Sequence, residues 1–79
     1  MKYTIELDCA PGTPRPDALL PQVLAGTGLE LDEPVSTFFG NWTWAVPADQ
    51  EEKYLAAKPV LAERIKALYN AGAIRYGSW

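Results

Sequence analysis

Seventy-nine residues, 48% hydrophobic and 22% charged, predict one globular domain, residues 1–79, near the lower size at which a single core suffices. One cysteine excludes an internal disulfide, and the absence of histidine removes the commonest general base and metal ligand. The net charge of −3 is split unevenly, with nine acids against two bases in residues 1–52 and five bases against one acid in residues 53–79.

Residues 2–9 alternate. Tyr3, Ile5, Leu7 and Cys9 point one way, and Lys2, Thr4, Glu6 and Asp8 the other, which predicts a strand with one buried and one wet face. No apolar run reaches the length of a membrane span. The strand-like start has no signal-peptide core, so an intracellular, cytoplasmic protein is expected. Residues 10–16 hold three prolines and predict a loop. Asp17 then reads as a helix N-cap, with Ala18, Leu19, Leu20, Val23 and Leu24 as the helical stripe and Gly26-Thr27-Gly28 as the stop. Pro21 is tolerable there only because it falls early in the helix. Leu29/Leu31 against Glu30/Asp32 is a short alternation that either begins the next strand or forms an extended loop.

Residues 35–46 read as a β-hairpin turning at Gly40-Asn41, since both residues accept the positive φ such turns need. That register sets Phe39 opposite Trp42, Thr37 opposite Trp44 and Val35 opposite Val46, all on one face. Phe39, Trp42 and Trp44 are then the core face, and Phe38 lies on the reverse. Pro47 ends the hairpin. Asp49 and Glu52 have capping-box spacing ahead of a helical region that runs to Ala71. Tyr54, Leu55, Leu61, Ile65 and Leu68 recur along it at helical spacing. Pro59 predicts a kink, or two helices over residues 49–57 and 59–71. Asn70-Ala71-Gly72 is a C-cap, and residues 73–79 read as a final strand.

The order β-α-β-β-α-β predicts an α+β domain of ferredoxin-like arrangement. In it a mostly antiparallel sheet carries both helices on one face, and the first and third strands are central. The weaker alternative is a three-stranded sheet with an irregular final segment. Tyr3, Phe39, Trp42, Trp44, Tyr54 and Tyr69 are enough aromatics to fill so small a core.

No constellation of residues specifies a reaction. Cys9 is in register with Tyr3, Ile5 and Leu7, which predicts an inert core thiol. Ser36 and Ser78 have no histidine to activate them. The carboxylates lack cation-binding spacing and read as solvated surface, so no cofactor or metal is expected. Gly26-Thr27-Gly28 follows a helix instead of preceding one, the reverse of a phosphate cradle.

Acids and bases follow the helix dipole over residues 49–71, but Glu30, Asp32 and Glu33 lie outside that helix and are not explained by it. Phe38 and Trp79 are aromatics that one small core cannot also enclose, and they suggest a protein contact, with a partner or with a second copy. The expectation is therefore a small acidic, non-enzymatic protein-binding module whose contact residues are Glu6, Asp8, Glu30, Asp32, Glu33, Phe38 and Trp79. Its partner would be a protein with a basic surface. In style this is similar to the small inhibitors made by phages and mobile elements, among them anti-CRISPR and DNA-mimicking proteins that block a nucleic-acid groove. Such a protein would act in the host cytoplasm. Two alternatives stand beside it. One is a nucleic-acid-contacting accessory protein using Arg64, Lys66 and Arg75 with Tyr76 and Trp79. The other is a small enzyme or small-molecule sensor domain, which needs a concave apolar pocket.

Overall fold

The structure is a computed structural model that describes residues 3–9 and 15–79. Its elements are strand β1 (Thr4–Asp8), helix α1 (Pro16–Leu24), strands β2 (Ser36–Phe38) and β3 (Asn41–Ala45), helix α2 (Glu51–Asn70) and strand β4 (Tyr76–Ser78). The four strands form one sheet in the order β2-β3-β1-β4, with every neighbouring pair antiparallel. The fold is thus a small α+β arrangement of an antiparallel sheet and two helices, with β1 and β3 at the centre.

The alternation of β1 decides where the core lies. Ile5, Leu7 and Cys9 are buried, as are Trp44 and Val46 of the neighbouring chain segment. Ile5 stands opposite Trp44, and Leu7 opposite Trp42. Leu19 and Val23 of α1, Tyr54, Ala57, Leu61 and Ile65 of α2, and Leu29 and Ile74 complete the cluster. Tyr3 lies against Tyr54 with ring centroids 4.9 Å apart. Both helices therefore contribute to one apolar layer on one side of the sheet. Lys2 of the expected first strand, and residues 10–14 of the expected proline-rich loop, lie outside the described residues.

Several sequence expectations need correction. Helix α1 begins at Pro16, with Arg15 and not Asp17 as its N-cap. Pro16 holds the first helical position, where a missing N–H costs nothing. Asp17 sits in the first turn, where its charge suits the dipole, and pairs with Arg15 at 3.1 Å. Asp49 is not a helix cap either. It lies in a 3-10 turn, Ala48–Gln50, that leads directly into α2, whose N-cap is Gln50.

Helix α2 runs unbroken through Pro59. Leu55 and Pro59 are both exposed, so the carbonyl that the proline leaves without its donor faces water instead of the core. The helix ends as its sequence requires. Gly72 adopts φ 79°, its N–H donates to Tyr69 O at 3.0 Å, and the Ala73 N–H donates to Leu68 O at 2.9 Å, a Schellman closure.

Residues 29–34 form no strand. Leu29 is buried, and the Glu30 N–H donates to Gln50 Oε1 at 3.2 Å, which ties the segment to the start of α2. Tyr69, expected in the core, is exposed on α2. No described helix is long and apolar enough to cross a membrane.

Candidate functional site

The largest correction is at the hairpin. Thr37 pairs with Trp42, Ser36 with Thr43 and Phe38 with Asn41, so the turn is Phe39-Gly40 and not Gly40-Asn41. Phe39 has φ 45° and Gly40 φ 82°, the doubly positive combination of a type I′ turn. Gly40 is required twice over. Its φ is left-handed, and a Cβ there would come within 3.1 Å of the Cys9 carbonyl oxygen. Phe39 has no such reason to be where it is. A bulky side chain at positive φ is a true backbone outlier, with a cost of roughly 1–2 kcal/mol.

The ladder explains why the turn moved. Asn41 stands opposite Asp8, and its Nδ2 donates to Glu6 Oε2 at 2.7 Å and to Asp8 Oδ2 at 3.2 Å. The asparagine that reads as a turn residue is used instead to bridge two carboxylates of β1. Phe39 is consequently pushed to the tip. It is 85% exposed, Phe38 beside it is 69% exposed, and their rings meet edge to face with centroids 4.5 Å apart.

The sheet face opposite the helices is organised in rows. The first crosses all four strands as Phe38, Asn41, Asp8 and Tyr76. The second is Ser36, Thr43, Glu6 and Ser78. Tyr76 is 52% exposed, so the first row ends in an exposed aromatic on each edge strand. Between them Asp8 is held firmly. Arg75 Nε and Nη2 donate to Asp8 Oδ1 at 3.2 and 2.7 Å. The Arg75 hydrogen bond holds the Asp8 carboxyl below the usual carboxylate range. Partial burial opposes that shift, while the Asn41 bond and the Arg75 charge add to it.

The expected acids are not gathered on this face. Glu6 and Asp8 lie on it, but Asp32 and Glu33 line a separate groove with Val35, Ala45, Pro47 and Glu51. That groove is at the Thr4–Ala45 end of the ladder, and Asp8 is at the other end, about 13 Å away along β1 at the usual strand rise. Glu30 is anchored through its backbone beside Gln50, off the sheet. Trp79 is half-buried against the core and borders a groove between α2 and β4. Phe38 and Tyr76 belong to the open face, whereas Phe39, assigned to the core by sequence, stands at the hairpin tip and is the most exposed large hydrophobic among the described residues. Nothing within the hairpin's own sequence signals the shift, because the groups that hold Asn41 lie on β1.

Two of the three C-terminal cations proposed to touch nucleic acid are engaged internally. Arg64 Nη1 donates to the carbonyls of Val23, at 3.1 Å, and Ala25, closing the C-terminus of α1. Arg75 is committed to Asp8. Arg15 reaches the Trp42 ring, 5.8 Å from its centroid, as well as Asp17.

Comparison of the sequence and of the fold finds no matching family model, curated protein or solved structure.

Proposed function

We propose that the chain is a small non-enzymatic protein-binding module that occupies the surface of another protein, in the manner of a stoichiometric inhibitor. The observation that carries this reading is Phe39, an aromatic at φ 45° that is 85% exposed. A turn serving the fold alone favours Asn, Asp or Gly at that position. Strain retained at an exposed aromatic is characteristic of residues kept for contact, and Phe, Tyr and Trp dominate interface hot spots.

In this reading Phe38 and Phe39 enter an apolar pocket of the partner, and Tyr76 is a second anchor across the sheet. The polar groups between them (Ser36, Thr43, Glu6 and Asp8) form a rim that suits amide or basic donors. Glu30, Asp32 and Glu33 would steer a basic partner over distance without joining the central contact. The inhibitor setting, anti-CRISPR-like and borne by a phage or mobile element, belongs to the same proposal. Its support is the small size and the net charge of −3. The ferredoxin-like reading of the architecture is likewise proposed, supported by the alternation of elements and the central position of β1 and β3.

The test is affinity capture from host cells with the native chain and with Phe39→Gly and Phe38→Ser, followed by mass spectrometry. A protein retained by the native chain and lost from both variants is the expected result. Identical captured sets, or no captured protein, would overturn the reading. Charge reversal at Glu30, Asp32 and Glu33 should slow association and flatten its salt dependence while leaving dissociation unchanged.

A further inference from the structure

The groove between α2 and β4 lies apart from the hairpin tip. It has a volume of about 390 Å³ and is bordered by Lys66 and Tyr69 of α2 and by Arg75, Tyr76, Gly77 and Trp79 along β4. Strand β4 is an edge strand. The Cys9 N–H donates to Gly40 O at 3.0 Å and the Val46 N–H to Tyr3 O at 3.0 Å, so odd-numbered residues of β1 turn their backbone toward β3. Even-numbered ones turn toward β4, where Glu6 pairs with Ser78 and Asp8 with Tyr76. Alternation then leaves the Gly77 N–H and C=O facing away from β1, at the open edge, inside the groove.

The lining is aromatic with one uncommitted cation, Lys66, because the Arg75 guanidinium is held by Asp8. No Asp or Glu side chain borders it, and among the described residues Lys66 makes no ion pair. The missing side chain of Gly77 lets β4 lie directly against Ile65 of α2, which forms the floor of the groove.

We infer that this groove receives an extended acidic segment of another protein, which adds a strand beside β4. Its backbone pairs with Gly77, one carboxylate meets Lys66, and apolar side chains lie against Tyr69 and Trp79. Charge complementarity selects this occupant. Strand addition at an open edge takes its affinity from backbone pairing and its selectivity from neighbouring side chains, here Lys66.

The test is a displayed library of random seven-residue peptides, selected on the intact protein and counter-selected on Lys66→Glu. Peptides with two or more Asp or Glu residues should be enriched. The best of them, made synthetically, should bind at least tenfold more weakly to Lys66→Glu and to Tyr69→Ala, and should protect the Gly77 amide from hydrogen exchange. Both substitutions are on the exposed side of a helix, so folding, checked by circular dichroism, should be unaffected. Phe39→Gly should bind these peptides as the native chain does, which separates this site from the hairpin contact. No enrichment, peptides indifferent to Lys66→Glu, or an unprotected Gly77 amide would overturn the inference. A concentration-dependent dimer that protects Gly77 without peptide would overturn it in favour of a second copy.

Discussion

Asp8 and Arg75 are joined twice. The Arg75 backbone N–H donates to the Asp8 carbonyl oxygen at 2.7 Å, and its guanidinium grips Asp8 Oδ1 through Nε and Nη2. The pair fastens the short strand β4 to the centre of the sheet. Because the folded state depresses the Asp8 pKa, the stabilisation is fully present above the ordinary aspartate range. It is lost as pH falls through the lowered value. Asp8→Asn should therefore flatten the acid limb of the stability–pH curve, measured by urea unfolding from neutral pH downward. An unchanged acid limb would show that the pair does not couple to folding.

Phe39 sets contact against fold. Replacing it by glycine removes an exposed ring and relieves a left-handed backbone. Stability should be unchanged or raised by up to about 1 kcal/mol in chemical denaturation. A loss larger than about 1 kcal/mol would mean that the Phe38–Phe39 ring pair supports the hairpin, and would weaken the case for a contact role.

Trp44 and Phe38 lie on opposite faces of the hairpin and should separate cleanly. Trp44 is buried in the core, so Trp44→Ala should cost about 3–5 kcal/mol, measured as a fall in the thermal midpoint. Phe38→Ala should cost less than about 1 kcal/mol, as exposed substitutions usually do. The reverse order would exchange the two faces.

Gly77 of β4 packs directly against α2. A Cβ there would overlap Ile65 Cγ2 and stand 3.1 Å from Ile74 Cδ1. Gly77→Ala should destabilise by about 1–3 kcal/mol through overpacking. Pairing it with Ile65→Leu, which keeps the volume but lacks the Cγ2 branch that makes the contact, should recover part of the loss. Additive losses in the double variant would place the clash elsewhere.

Much of the architecture was legible locally. The alternation of β1, the hairpin itself, the Gly72 stop and the opposition of Phe38 to Trp44 are periodicities or terminators that a few neighbouring residues encode. Position within them was not always legible. The turn shifted by one residue because Asn41 finds Glu6 and Asp8 on a strand more than thirty residues away. Pro59 did not break its helix because tertiary packing turned that face to solvent.

The candidate site divides in the same way. The sequence by itself determined that the chain is small, acidic and without a histidine, and that Phe38 lies off the core face. Only the tertiary structure decided that Phe39 stands at the tip, that Arg64 and Arg75 are occupied, and that Asp32 and Glu33 lie far from Asp8. Backbone periods act between residues a few positions apart, so a single sequence displays them. Hydrogen bonds and ion pairs between distant segments depend on which strands become neighbours, and that is settled only when the core closes.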